Sequence, residues 1–375
     1  MLQRPTSPPS LAPIASSIHH QAFDLANLLL ARRMVGAFAE SAATKYAIHR
    51  TLNFAARVGL EALFDDLGLD PRWTAQRLDA TSMIFDAAGA FVTASGHHKL
   101  DYCSFTFEIW AVGIDQAQQV REAILAHVGP VLIREPMISI EWYFAAGGGE
   151  LRSVRIEELA DDQLHDEAYP YLDRGVAHFI TSYLDAPETV LVLQGSPGTG
   201  KTRLVRAILG AISRRKGQNA NVLYTGDTRA LESDQLFVHF ITGEGDAFVV
   251  EDADHLLQPR TDGNDNLHRF LAIADGIVRA QGRKIIFTTN LPNVGDLDDA
   301  LVRPGRCFAR VTTRRLSSRE AQTMAVALAR NAEEQEPLRR IVSEAIEQGN
   351  GSLSLAEIFK LVRDLRTANI DTMAA

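Results

Sequence analysis

The feature that most constrains this 375-residue chain is the run Gly195-Ser196-Pro197-Gly198-Thr199-Gly200-Lys201-Thr202. The apolar stretch Thr189-Val-Leu-Val-Leu-Gln before it reads as a buried strand, and a helical pattern from Arg203 to Ser213 follows. Glycines at 195, 198 and 200 let the backbone turn tightly and aim N–H groups at phosphate oxygens. The start of the helix adds partial positive charge. Lys201 is expected to neutralise the β- and γ-phosphates of a nucleotide, and the Thr202 hydroxyl to ligate Mg2+.

Three later segments supply groups suited to the same chemistry. The apolar strand Ala247-Phe-Val-Val runs into Glu251-Asp252-Ala-Asp254, which sets carboxylates at the C-terminal edge of a strand beside the glycine-rich loop. One acid is expected to hold Mg2+ through water and another to polarise the attacking water. Spacing gives Glu251 the metal side and Asp252 the base, the reverse of the commoner Asp-Glu order, and an exchange of the two roles stays open. The strand Lys284-Ile-Ile-Phe-Thr-Thr ends at Asn290, whose amide can orient the water or touch the γ-phosphate. Beyond it, Arg303-Pro-Gly-Arg306 displays two guanidiniums on a turn. Planar guanidinium suits phosphate, but reaching the chain's own loop from there is not expected. Arg303 and Arg306 are therefore candidate arginine fingers serving a neighbouring copy, which implies a ring.

Taken together, Gly195 to Thr202, the Glu251-Asp252 pair, Thr288-Thr-Asn290 and Leu297-Asp-Asp-Ala-Leu-Val-Arg-Pro-Gly-Arg306 resemble the AAA subfamily of AAA+ ATPases. The resemblance covers roughly residues 165 to 315 and implies an α/β P-loop NTPase with a parallel sheet and a C-terminal helical lid, preceded here by an N-terminal α+β domain. It also implies ATP and Mg2+ as cofactors, a homo-oligomeric ring of six or seven subunits, and a protein substrate of unknown identity. Glu251-Asp-Ala-Asp254, Leu231-Glu-Ser-Asp-Gln-Leu236 and Asp275-Gly-Ile look most like the Bcs-type branch, whose mitochondrial members help assemble respiratory complex III. Val222-Leu-Tyr-Thr is followed by Gly226-Asp-Thr-Arg-Ala-Leu-Glu-Ser and not by the aromatic, hydrophobic, glycine pore triplet of AAA unfoldases. That departure favours moving folded partners over threading unfolded ones. Cys307-Phe308 stands where an aromatic-acidic pair is common after the last finger, and no second sensor arginine stands out.

Charge and composition narrow the partners. A net charge of -9 gives no global basic footprint, so nucleic acid is not the expected partner. The alternative of a DNA-transaction ATPase would rest on Arg203, Arg206, Arg214, Arg215 and Lys216; a third reading, prompted by the inverted acids, is a slow nucleotide-gated scaffold. Cys103 and Cys307 follow no metal spacing and point to a reducing compartment. His97-His98 reads as an exposed hairpin tip, not a metal pair. No stretch reaches the roughly 20 apolar residues of a membrane span, so the expected location is the cytoplasm in soluble form.

Residues 1–20, rich in Pro and Ser, read as a disordered tail without a secretion signal. From Gln21 to about Leu67 apolar spacing of three and four predicts helix. Phe105-Thr-Phe-Glu-Ile-Trp and Ile138-Ser-Ile-Glu-Trp-Tyr-Phe alternate like strands around a helical stretch from Gln116 to His127. The turn at Gly147-Gly148-Gly149 and the acidic stretch Glu157 to Glu167 read as a connection. The expected domains are therefore 21–160 for partner recognition, 161–315 for the ATPase and 316–375 for a helical lid. Ser354 is expected to cap the helix that starts at Leu355.

Overall fold

A computed structural model of the chain describes residues 46–99, 101–135, 137–146, 150–160, 164–243, 245–258, 267–275, 282–292, 297–301, 303, 305–348 and 351–373. The expected tail, the helical reading from Gln21 to residue 45 and the triple-glycine turn lie outside those residues. Two compact units divide after Arg134.

The first unit is an antiparallel sheet with helices on one face. Its strands are β1 (Ile48–Ala56), β2 (Trp73–Arg77), β3 (Ser82–Ala87), β4 (Ala90–His98), β5 (Cys103–Ala111) and the short β6 (Leu132–Ile133), in the order β2-β3-β4-β5-β1-β6. Two helices, α1 (Leu60–Gly68) and α2 (Ile114–Val128), bury Leu63, Phe64, Leu67, Val120 and Ile124 against Phe54, Phe85, Phe105 and Phe107. The helical reading holds for α1 and is corrected for residues 48–56. There Leu52, Phe54 and Ala56 alternate into the core, opposite Phe107, Phe105 and Cys103 of β5. A period of two along a paired strand outweighs apolar spacing that also satisfies a helix. His97 and His98 are exposed at the end of β4, where β4 turns into β5.

The second unit is built on a mixed, mostly parallel sheet in the order β13-β9-β12-β11-β10-β7-β8. Its strands are β7 (Met137–Ala145), β8 (Leu151–Leu159), β9 (Val190–Gln194), β10 (Ala220–Thr225), β11 (Ala247–Val250), β12 (Lys284–Thr289) and β13 (Cys307–Thr312). All residues of β9, β11 and β12 are buried, as expected of parallel strands covered on both faces. Helices α3 (Gly175–Asp185) and α4 (Lys201–Lys216) belong to the core on one face. Helices α5 (Asp234–Thr242) and α7 (Leu267–Asp275), with the single turn α6 (Asp254–Leu257), belong to the core on the other.

The hairpin β7–β8 corrects the expected domain boundary. β7 lies parallel to β10, with Ile138 opposite Ala220 and Trp142 opposite Tyr224, so the second unit starts at Glu135 and not at 161. Nor is Glu157 part of a polar connection: it is 2% exposed and accepts the Ser139 hydroxyl proton (2.7 and 2.6 Å to its two oxygens) and an Asn219 amide N–H at 3.2 Å. A carboxylate with such partners is tolerated inside a sheet.

After β13 the chain forms α8 (Ser318–Ala327), α9 (Ala332–Gln348) and α10 (Leu355–Met373), with the small pair β14 (Leu316–Ser317) and β15 (Ser352–Leu353). Ala325, Leu338, Val342, Ile358 and Val362 bury the faces that their spacing marks as apolar. The start of α10 is a reciprocal cap: the Glu357 N–H donates to Ser354 Oγ (3.2 Å), and the Ser354 N–H donates to Glu357 Oε2 (2.6 Å).

Candidate functional site

The loop between β9 and α4 is shaped by crowding as much as by flexibility. Gly195 has φ +152° and is buried, and a Cβ there would stand 2.1 Å from the Thr313 carbonyl oxygen. Thr313 is the latch behind the loop. Its N–H donates to Gln194 O at 2.7 Å, and its hydroxyl shares a 2.6 Å hydrogen bond with Thr199, whose own hydroxyl reaches Ser196 O at 2.7 Å. At the other end Gly200 has φ +95°, and its carbonyl accepts the buried Tyr169 hydroxyl at 2.9 Å. Ser196, Pro197 and Gly198 are exposed.

Lys201 opens α4 and turns back under the loop, 8% exposed. Its ammonium donates to Gly195 O (2.5 Å), Ser196 O (3.2 Å) and Asn290 Oδ1 (3.0 Å). Burial lowers its pKa, while Asp252, Asp254 and Glu251 pull the other way. Incoming phosphate charge would add to the second effect.

Carboxylates meet this lysine from one residue past β11. Glu251 Oε1 accepts the Thr202 hydroxyl at 2.7 Å, and Oε2 accepts the Tyr224 hydroxyl at 2.7 Å. Burial, and then the hydrogen bond to Glu251, push the Tyr224 phenol up. Asp252 is exposed and adopts φ +49°, a left-handed conformation that aspartate tolerates better than most residues. Its Oδ1 accepts the Asn290 amide N–H at 2.9 Å. Asn290 thus faces both ways, accepting from Lys201 and donating to Asp252. Asp254 fixes the strand end that carries it, since Oδ1 accepts both the Asn290 N–H (2.8 Å) and the Thr289 hydroxyl (2.6 Å).

The sequence-derived loop, acids and amide therefore come together at one edge of the sheet, lining a cleft of about 510 Å³ with Arg203, Leu355 and Phe359. Part of the lining comes from α10, whose individual cleft residues the sequence did not single out. The Arg203 guanidinium lies 4.0 Å from the Phe359 ring centroid, and the Ala356 N–H donates to Gly198 O at 3.0 Å. Tyr224, Thr313, Tyr169 and the bonding role of Asp254 were also missed. Spacing carries no signal for the first three, while Asp254 stood in the acidic motif without an assigned task.

Arg303 and Arg306 are not in this cleft. Arg306 O accepts the Val190 N–H at 3.2 Å, at the start of β9, whereas the loop leaves from its end. Five strand residues separate the two, on the order of 17 Å. The Arg306 guanidinium donates to Ala300 O at 2.8 Å, and Arg303 is exposed. Neither acts on the chain's own loop in this arrangement.

Among the described residues no group of three or more His, Cys, Asp or Glu could hold a metal ion, and no helix is long and apolar enough to cross a membrane. Residues 191–315 match the family described as ATPase family associated with various cellular activities (AAA). The chain is 29% identical to an ATP-dependent zinc metalloprotease YME1 homolog of Caenorhabditis elegans, over 44% of this chain and 22% of that protein. It is 29% identical to a 26S proteasome regulatory subunit 4 homolog of Schizosaccharomyces pombe (47% of this chain, 41% of that one), and 28% identical to the peroxisomal ATPase PEX6 of Mus musculus (59% and 22%). The chain spans less than half the length of each of these relatives. The glycine-rich loop at 195–202, the acids at 251 and 252 and the strand end at Asn290 all fall within residues 191–315, the segment that matches the AAA family.

Proposed function

We propose that this chain hydrolyses Mg-ATP as a homo-oligomer and uses the cycle to remodel or move a protein partner. The observation that carries the chemistry is a pair of side-by-side hydrogen-bond chains at one cleft: Thr202 to Glu251, and Lys201 through Asn290 to Asp252. Lys201 and the loop N–H groups would hold the phosphates. The hydroxyl of Thr202 and the carboxylate of Glu251 form an oxygen donor set that suits Mg2+, which keeps most of its waters and takes only one or two protein ligands beside the phosphates. When bound, the ion supplies charge neutralisation on the β- and γ-oxygens. Asp252 is the base: its exposed carboxylate is aimed by Asn290 and is free of the Thr202 contact. The alternative exchange of the two acids is disfavoured, because Glu251 already has a hydrogen bond on each oxygen.

Arg303 and Arg306 act on a neighbouring copy, in a ring of six or seven. The far-end position of the pair, together with the resemblance, supports this reading. The proteasomal and peroxisomal relatives support a protein substrate, and the motif likeness to the Bcs-type branch favours a folded one. The α+β unit at 46–134 selects that partner, the helical part after β13 serves as the lid, and the working location is the cytoplasm. The DNA reading is less favoured, since three of its five cations face carboxylates: Arg206 pairs with Glu158 (3.7 Å), Arg215 with Asp185 (2.6 Å) and Lys216 with Asp246 (2.6 Å).

The test is ATPase rate per subunit against protein concentration, for wild type and for an equimolar mixture with Arg306→Ala. The proposal expects specific activity to climb with concentration and to fall in the mixture; a flat rate, unaffected by the variant, refutes shared sites.

A further inference from the structure

We infer that Tyr224 is a positioning residue for Glu251, holding the metal-side carboxylate in register with Thr202; this rests on the ATPase reading above. Glu251 stands one residue beyond β11, and glutamate has one more rotatable bond than aspartate. A single hydrogen bond from Thr202 leaves the carboxylate free to swing about that bond. The second oxygen is taken by the Tyr224 hydroxyl at the same 2.7 Å, so the group is gripped at both ends.

The donor is itself held. Tyr224 lies on β10, where the backbone of its neighbour Thr225 accepts the Glu251 N–H at 3.0 Å, so phenol and carboxylate share one stretch of backbone pairing. Its ring packs edge-on against Trp142 of β7, with centroids 5.5 Å apart and planes at 86°. Trp142 is the residue opposite Tyr224 in the β7–β10 pairing, so the hairpin added to the sheet braces the tyrosine that braces the glutamate. A hydrogen bond to a charged group is among the stronger ones, and its loss here acts on the orientation of an oxygen ligand rather than on the phosphate loop.

Tyr224→Phe removes the hydroxyl and leaves the ring. Three quantities are compared in the full chain: Mn2+ affinity of the complex with a non-hydrolysable ATP analogue, followed by electron paramagnetic resonance; affinity for a fluorescent ATP analogue in excess EDTA; and kcat. The expected result is Mn2+ affinity weaker by about tenfold, a lower kcat, and metal-free nucleotide affinity within about twofold of wild type. Trp142→Ala is expected to shift Mn2+ affinity in the same direction by a smaller factor. Unchanged Mn2+ affinity in Tyr224→Phe overturns the inference, as does an equal loss of metal-free affinity, which marks Tyr224 as packing alone. Wild type without any metal-dependent gain in nucleotide affinity instead overturns the ATPase reading, and the inference falls with it.

Discussion

Gly195→Ala separates crowding from backbone conformation, because Gly217 offers a matched control. Both glycines have positive φ, +152° and +65°, yet a Cβ at 195 would lie 2.1 Å from Thr313 O and 2.3 Å from its hydroxyl, while nothing lies within 4 Å at 217. A methyl group needs more than 3 Å, so Thr313 must retreat by about 1 Å or more. That retreat stretches its 2.7 Å bond to Gln194 O and the 2.6 Å bond to Thr199, the two ties that close the loop from behind. Backbone strain of about 1–2 kcal/mol and two hydrogen bonds of about 1 kcal/mol each give a loss of about 3–4 kcal/mol. For a unit of this size that lowers the melting temperature by on the order of 10 °C. Gly217→Ala carries the strain alone, about 1 kcal/mol. Differential scanning calorimetry measures both, and a fluorescent nucleotide titration should show ATP affinity reduced only at 195. Equal melting temperatures for the two variants would refute the crowding argument.

Lys201→Ala should abolish tight nucleotide binding, seen as loss of saturation in the same titration, since the ammonium centres the loop carbonyls and Asn290. Asp252→Asn should keep ATP affinity and lower single-turnover hydrolysis by about 10²–10⁴-fold. Asparagine keeps the left-handed backbone and an oxygen for Asn290 but is no base. Glu320 has its pKa lowered from 4.5 to about 2, chiefly by hydrogen bonds from Arg314, at 2.7 and 2.8 Å, then by the Ser317 N–H. With the folded value below the unfolded one, its contribution is complete above pH 4.5 and is lost as pH falls toward 2. Wild type should therefore exceed Glu320→Gln by about 1–2 kcal/mol in urea denaturation near neutrality, after allowing for solvent screening, with the gap narrowing below pH 4.5.

What could be read from the sequence was set by short covalent spacing. Gly195 to Thr202 dictates a loop by itself, and Glu251, Asp252 and Asn290 each follow an apolar strand, so their arrival at one edge follows from a parallel sheet. The C-terminal helices were legible because Leu338, Val342, Ile358 and Val362 repeat at helical intervals. Contacts between distant segments were not. Nothing local announces that Ile138 will lie beside Ala220, or that Thr313 will reach Thr199, 114 residues earlier. Leu52 and Phe54 satisfy two periodicities, and only the partner strand decides between them. The acidic run at 157–167 looked solvated because pattern alone cannot show that Ser139 and Asn219 will bond to Glu157.

The strand order bears on how this protein is made. β9 carries the glycine-rich loop, yet its neighbours β12 and β13 begin at Lys284 and Cys307, 90 and 113 residues after Gln194. At about 5–20 residues per second on the ribosome, a fully buried strand with four apolar residues in a row waits roughly 5–20 s with both edges open. The β7–β8 hairpin pairs locally and can close at once, while the strand that carries the phosphate loop is among the last to be flanked. That interval is where a chaperone has most to protect, and where a translational pause after residue 194 would cost the most yield.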